Sequence, residues 1–274
     1  MKETINEMMD QYSIKEIDYD DLTFESKLVE KSDWETYKGQ WNNQKVCIKK
    51  YENVDDPKSM INEITILSNL KHKCIPKFYG VCQEGNTFIL VMEFIEGKKL
   101  HCISKSSLTD DALISIIKNL ADVLQYMHSN NVVQRNLAPD IILWDEKRKI
   151  PFIFEFYLSR FSSEDTKSKM RDNNVLYMAP ESLDIELDGE TVLSNTIDVW
   201  AYGCLVSWLY SGHLPWLNKF TKGSVQNKLI AKKEFPIPDE IKDSNIKMLI
   251  KMCTQVTVSS RWTIKQVIDF LSTL

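Results

Sequence analysis

This sequence predicts an α+β fold with two lobes, a small β-rich one followed by a larger helical one. Three observations carry that prediction. In the first 92 residues, short runs alternate apolar and polar side chains as half-buried strands do, with one amphipathic helix among them. From Thr109 to Asn130, Leu113, Ile116, Ile117, Leu120, Leu124 and Met127 keep a 3.6-residue period. Further on, "TIDVWAYGCLVSWLY" is apolar almost all round, as expected of a central buried helix. A chain of 274 residues is long enough for one large domain or for two lobes sharing a core.

Taken in order, "LTFESKLVE" and "ETYKGQW" alternate in strand fashion, and "QKVCIKK" follows a turn at Asn42-Asn43. "DDPKSMINEITILSNL" is helical. Asp55 or Asp56 can cap it, Pro57 suits its first turn, and Ile61, Ile64 and Leu67 fall on one face. Two strands follow around "KFYGVCQ" and "TFILVMEF", which makes five strands and one helix. Gly97 marks a hinge. After the long helix, two more helices fit 241–253 and 263–274. Segment 184–195, "DIELDGETVLSN", is an acidic loop without evident chemistry. Ile5, Met8, Met9 and Tyr12 form an apolar stripe near the start, suited to packing on the chain's own domain. The expected division is an extension over 1–19, an N-lobe over 20–92, a hinge over 93–98 and a C-lobe over 99–274. The cleft between lobes is the default place for a ligand.

Composition excludes several classes. Hydrophobic content of 43% and charged content of 27% are those of a globular protein, and a net charge of −5 argues against a nucleic-acid partner. Six scattered cysteines without a Cys-x-x-Cys pair read as reduced thiols in a cytoplasmic protein, neither a disulfide framework nor a zinc site. No apolar run reaches the length that a membrane span needs, and the N-terminus lacks the apolar core of a leader.

The stretch "VVQRNLAPDIILW", residues 132–144, places Arg135, Asn136 and Asp140 between two strand-like runs. Such a polar cluster often marks a functional loop, yet this one holds neither a general base nor a nucleophile. Its surroundings supply a context. "VCIKK" contains Lys49, "INEITIL" contains Glu63, and "LVMEFIEG" follows. "MAPE" spans 178–181, "DVWAYG" spans 198–203, and Arg261 comes later. In that order these landmarks resemble the protein kinase domain, nearest to its tyrosine-kinase-like group, and the resemblance runs from about Asp20 to Leu274. It implies a bilobal kinase-like fold. It also implies that Lys49 and Glu63 are the third-strand lysine and its helix partner, that Met92 is the gatekeeper, and that Arg261 pairs with Glu181. Cys47, Lys49, Glu63, Met92, Glu93, Ile95 and Leu143 would then line the nucleotide cleft.

Against the family pattern His-Arg-Asp-Leu-Lys-Pro-x-Asn, the opening stretch departs at the reacting positions. Asn136 stands for the proton-accepting aspartate, and a neutral amide cannot take that proton. Ala138 stands for the lysine that faces the γ-phosphate, and Ile141 for the metal-holding asparagine. In "FEFYLSR", Glu155, Phe156 and Tyr157 stand for Asp-Phe-Gly, so a carboxylate one methylene longer is kept and a glycine is lost. Val29, Lys31 and Trp34 take the three glycine positions of the phosphate-covering loop, and Asn174 replaces the supporting threonine.

On the resemblance, the loop keeps its shape and has lost its reaction. The chain is expected to be a pseudokinase without enzymatic activity, a scaffold or allosteric regulator in signalling whose partner is a protein, with an active kinase as the candidate. The alternative is a weak or atypical ATP-dependent serine/threonine kinase. No resident cofactor is expected: ATP would bind weakly if at all, and no magnesium site is anticipated. Several residues stay open between two readings. Lys49 and Glu63 either position ATP or only brace a helix. Arg135 either bonds backbone or binds a phosphorylated neighbour among Ser162, Ser163, Thr166 and Ser168. Trp34 either lies on the surface of its turn or folds down.

Overall fold

The computed structural model describes residues 9–52, 57–162, 174–184, 194–216 and 234–274. Ile5, Met8, Asp55, Asp56, Ser163, Thr166, Ser168 and most of the acidic loop at 184–195 lie outside the described residues. The chain divides into two compact units. One comprises residues 1–97 with 152–157, and the other 98–151 with 158–274.

The first unit is built on a five-stranded antiparallel sheet in the order β1-β2-β3-β5-β4. The strands are β1 (Leu22–Glu30), β2 (Glu35–Trp41), β3 (Gln44–Glu52), β4 (Phe78–Glu84) and β5 (Thr87–Glu93). Between β2 and β3, Asn42 and Asn43 have φ of 51° and 59°. Positive φ at both central residues gives a turn whose twist matches that of the flanking strands, and asparagine tolerates it. Val46, Ile48, Ile89 and Val91 alternate inward into a core shared with Trp41 and Ile17.

Helix α1 (Lys58–Asn69) buries Met60, Glu63, Ile64 and Leu67, the i, i+3, i+4, i+7 positions of one face. Ile61, expected on that face, is only half-buried. The helix starts directly after Pro57, which has helical φ and makes no side-chain cap.

The free edge of β4 is covered by the chain's own N-terminal segment. Ile17 N–H donates to the Val81 carbonyl at 2.9 Å, and Val81 N–H donates to the Lys15 carbonyl at 3.0 Å. Glu16 thereby bridges Val81 in parallel sense. Ile17 is buried, and the Lys15 ammonium lies 4.5 Å from the Trp41 ring. A glycine is needed at position 80 because a Cβ there would stand 2.2 Å from the Lys15 carbonyl oxygen. Covering an edge in this way removes a template for pairing with another chain.

The second unit is mainly helical. Helix α2 (Asp110–Ser129) begins where Thr109 Oγ1 accepts from Ala112 N–H at 3.2 Å. Asp110 and Asp111 sit in its first turn and His128 in its last, as the helix dipole favours. A short helix α3 covers Pro180–Asp184, and α4 (Thr196–Ser211) is buried on all sides. Gly203 lets α4 approach α5 (Ser244–Cys253) closely, since a Cβ there would meet Cys253 Cβ at 2.7 Å. Helix α6 (Ile264–Leu271) opens with a capping box of Thr263 and Gln266. α5 starts at Ser244 and not at 241, because the Asp243 carboxylate accepts from the N–H groups of Asn245 and Ile246 and sets the start there.

Two small sheets accompany these helices. β6 (Lys98–Lys99), β8 (Ile142–Asp145) and β9 (Ile150–Ile153) form a three-stranded sheet in the order β6-β8-β9, and β7 (Val132–Val133) pairs antiparallel with β10 (Arg160–Phe161). The two apolar runs around the 132–144 stretch are therefore strands, separated by a loop and a 3-10 turn over Pro139–Ile141.

Candidate functional site

Within the first unit, strand alternation puts Cys47, Lys49 and Tyr51 on one face of β3. Helix α1 presents Glu63 to that face, and the segment 152–157 brings Glu155 to it. The Lys49 ammonium donates to both oxygens of Glu63, at 2.9 and 2.8 Å, and to Glu155 Oε1 at 2.7 Å. Lys49 and Glu63 are both buried. Tyr51 Oη donates to Glu63 Oε2, and Phe156 N–H donates to Glu63 Oε1 at 3.3 Å. The carboxylate is thus held by a lysine, a phenol and a backbone amide.

One ammonium faces two carboxyl groups here, and burial together with their mutual interactions sets the electrostatics. Burial raises the Glu63 carboxyl above its usual range and the Glu155 charge adds to this, while Lys49 opposes both. Burial would lower the Lys49 ammonium, but Glu155 and Glu63 outweigh it and the ammonium is raised, so it stays charged. Burial pushes the Cys47 thiol up to about 12, which leaves it neutral.

An aromatic group closes over the ammonium. The Trp34 ring centroid lies 4.2 Å from Lys49 Nζ, with Tyr51 at 5.4 Å and Tyr157 at 5.7 Å. Trp34 and Tyr157 are in ring contact at 4.5 Å between centroids. Tyr157 Oη donates to Asp33 Oδ2 at 3.2 Å, and Lys31 N–H donates to the Trp34 carbonyl at 2.9 Å, closing the turn between β1 and β2. Of the two readings of Trp34, the folded-down one is observed. Val29 remains on β1, opposite Thr36.

The other residues expected around a nucleotide are placed unevenly. Cys47 and Met92 are direct cross-strand partners between β3 and β5. Glu93 ends β5 and accepts from Lys77 N–H at 3.2 Å, and Ile95 is buried. Leu143 belongs to the second unit, half-buried on β8.

In the second unit, the loop after β7 is fixed by Asp198 at the start of α4. Its carboxylate accepts from Gln134 N–H and Arg135 N–H, both at 2.8 Å, and is 2.9 Å from His128 Nε2. Arg135 holds φ of 68° and is buried. Asn136 N–H donates to the Gln134 side-chain oxygen at 2.7 Å, and Asn136 Oδ1 accepts from Asn174 Nδ2 at 2.7 Å. Asn136, Asn174, Tyr177 and Met178 line a small cavity. Ala138 and Ile141 are buried apolar residues that supply no polar side-chain atom. Glu181 accepts from both terminal nitrogens of Arg261, at 2.5 and 3.0 Å.

Sequence reasoning singled out Lys49, Glu63 and Glu155, which the structure brings together. It missed Tyr51 and Asp33. The period-2 spacing of Tyr51 from Lys49 was a usable signal, whereas nothing local linked Asp33 to Tyr157, 124 positions away.

Comparisons with known proteins identify the family. The family model described as "Protein kinase domain" matches residues 35–270. The chain is 31% identical, over 77% of its length, to a probable serine/threonine-protein kinase, fhkC, of Dictyostelium discoideum. It is 26% identical, over 64% of its length, to the ovarian-specific serine/threonine-protein kinase Lok of Drosophila melanogaster. A probable myosin light chain kinase of Dictyostelium discoideum is also 26% identical, over 74% of the chain. The chain spans only 36%, 37% and 42% of these three relatives. The expectation of a chain without enzymatic activity is corrected by these matches, since relatives named as kinases point to an enzyme. The physical reason that replaced side chains misled is that phosphoryl transfer rests on positioning and charge stabilisation spread over many groups.

Proposed function

Because the chain belongs to the protein kinase domain family, we propose that it is an ATP-dependent serine/threonine protein kinase with an atypical and slow reaction apparatus. The single observation that carries this reading is the assembled cluster of Lys49, Glu63 and Glu155. Helix, strand and a distant segment converge to hold one charged ammonium and one partly exposed carboxylate in place. Placement in the tyrosine-kinase-like group belongs to the same proposal and rests on the order of the sequence motifs.

The donor types suit a nucleotide and its cation. Magnesium is usually held by one or two carboxylates together with substrate phosphates, and Glu155 provides one such carboxylate. Bound ATP supplies the phosphoryl group to be transferred. On the first unit, Lys49 would hold phosphate oxygens, Glu63 orients Lys49, and Tyr51 and Phe156 N–H fix Glu63. On the second unit, Asn136 stands at the position of the family's proton-accepting aspartate and carries an amide oxygen, a group that can accept a hydrogen bond from a hydroxyl. An amide orients that hydroxyl but does not take its proton. The missing base lowers the rate by roughly 10²–10⁴.

The test is phosphate incorporation from labelled ATP into serine- and threonine-containing protein. Slow incorporation is expected, lost in Lys49→Met and raised at least about tenfold in Asn136→Asp. A folded wild type and a folded Asn136→Asp that both give no incorporation above Lys49→Met would overturn the reading.

A further inference from the structure

Lys49 has three N–H bonds, and all three are spent on Glu63 and Glu155. A remaining approach to its ammonium is capped by the Trp34 indole, 4.2 Å away. This cap does not hang freely. Its turn is closed by the Lys31 to Trp34 backbone bond, its ring rests on Tyr157, and the neighbouring Asp33 accepts from the Tyr157 hydroxyl. Trp34 and Asp33 come from the β1–β2 turn, while Tyr157 lies two residues after Glu155, in the segment that delivers the carboxylate. Two different contacts, ring on ring and phenol on carboxylate, therefore tie the turn to that segment directly over the ammonium.

We propose that the β1–β2 turn is a latch on Lys49, with Trp34 as the bolt and the Tyr157–Asp33 contact as its catch, and that an anionic ligand reaches the ammonium only when Trp34 swings away. As far as the ligand is nucleotide, this rests on the proposed kinase reading. The latch itself concerns access to Lys49 and is testable without nucleotide. A protein whose ligand-competent form is only a fraction of the total binds with its affinity reduced by that fraction. An ammonium–indole contact at a half-buried ring, together with an aromatic pair, amounts to a factor of roughly 10–100.

Two measurements on the full chain separate the latch from the kinase reading. The first is the acetylation rate of Lys49 by an amine-reactive acetyl ester, read by peptide mass spectrometry against the exposed Lys45 in the same molecule. Trp34→Gly should raise the Lys49-to-Lys45 ratio at least about tenfold. Tyr157→Phe keeps the ring, removes the hydroxyl from Asp33 and should give a smaller increase; as the milder change, it serves if Trp34→Gly fails to fold. The second is titration with ATP and magnesium, where Trp34→Gly should bind roughly ten- to a hundredfold tighter than wild type. An unchanged acetylation ratio in both variants would overturn the latch, whatever nucleotide does. A raised ratio with no nucleotide binding by any variant would sustain the latch and sink the kinase reading. Equal ATP affinity of wild type and Trp34→Gly would overturn the latch as a nucleotide gate.

Discussion

Replacing Arg261 by alanine should loosen the second unit more than any loss of reactivity could explain. The guanidinium is buried and makes four hydrogen bonds: two to Glu181, at 2.5 and 3.0 Å, one to the Thr196 carbonyl at 3.0 Å and one to the Gln255 carbonyl at 2.9 Å. It also lies 5.1 Å from the Trp200 ring. Alanine leaves the Glu181 carboxylate, only 18% exposed, without its counter-charge, and takes the donor from two carbonyls. Breaking one side of a buried pair costs about 3–5 kcal/mol. At roughly 2–4 °C per kcal/mol for a body of this size, melting should fall by about 6–20 °C. The assay is a set of thermal melts followed by circular dichroism for wild type, Arg261→Ala, Glu181→Ala and the double variant. The double variant no longer holds a stranded carboxylate, so it should lose at least about 1 kcal/mol less than the sum of the single changes. Arg261→Lys should rescue only in part, because an ammonium cannot form the paired fork. If Arg261→Ala melts within about 2 °C of wild type, or if the two single losses simply add, the ion pair is not what ties α3 to the later helices.

Two further outcomes follow from other parts of the molecule. Gly80→Ala should push the N-terminal segment off the edge of β4, because its Cβ would stand 2.2 Å from the Lys15 carbonyl. A loss of about 1–3 kcal/mol and new proteolytic cleavage before Asp18 are expected, and an uncleaved segment with unchanged melting would contradict the clash. Cys47, with its thiol pushed up to about 12, presents little thiolate at neutral pH. Since thiolate is the reacting form, iodoacetamide should label the exposed Cys102 well before Cys47, and comparable labelling of the two would refute the burial argument.

Much of the fold was legible because it is encoded by local spacing. The alternation in "QKVCIKK", the 3.6-residue period from Leu113 to Met127 and the paired asparagines at 42–43 each report their own backbone geometry. The pairing of Lys49 with Glu63 and of Glu181 with Arg261 was legible only through the family resemblance, since each joins residues far apart in the chain. What stayed hidden depends on tertiary contact alone. Nothing in "SIKEIDYD" says that Ile17 will enter the sheet core and that Lys15 and Ile17 will bond Val81. Likewise, His128 closes a helix in the sequence but meets Asp198 only once α2 and α4 are packed. The expectation of inactivity rested on the joint loss of base, phosphate lysine, metal-holding asparagine and glycines, and it is the matches to relatives named as kinases that overturn it.

The segment 152–157 has a consequence for how the protein is made. It packs with residues 1–97, yet it leaves the ribosome about 55 residues after Gly97. At a synthesis rate of roughly 5–20 residues per second, that gap is about 3–11 s. Throughout it, β1 to β5 are already translated, while Glu155, the Phe156 N–H that holds Glu63 and the Tyr157 ring under Trp34 do not yet exist. The nascent sheet waits with the third contact of its lysine unmade and its aromatic cover incomplete. Pausing or a chaperone acting between residues 97 and 152 would therefore change the yield of folded protein more than the same event placed after residue 157.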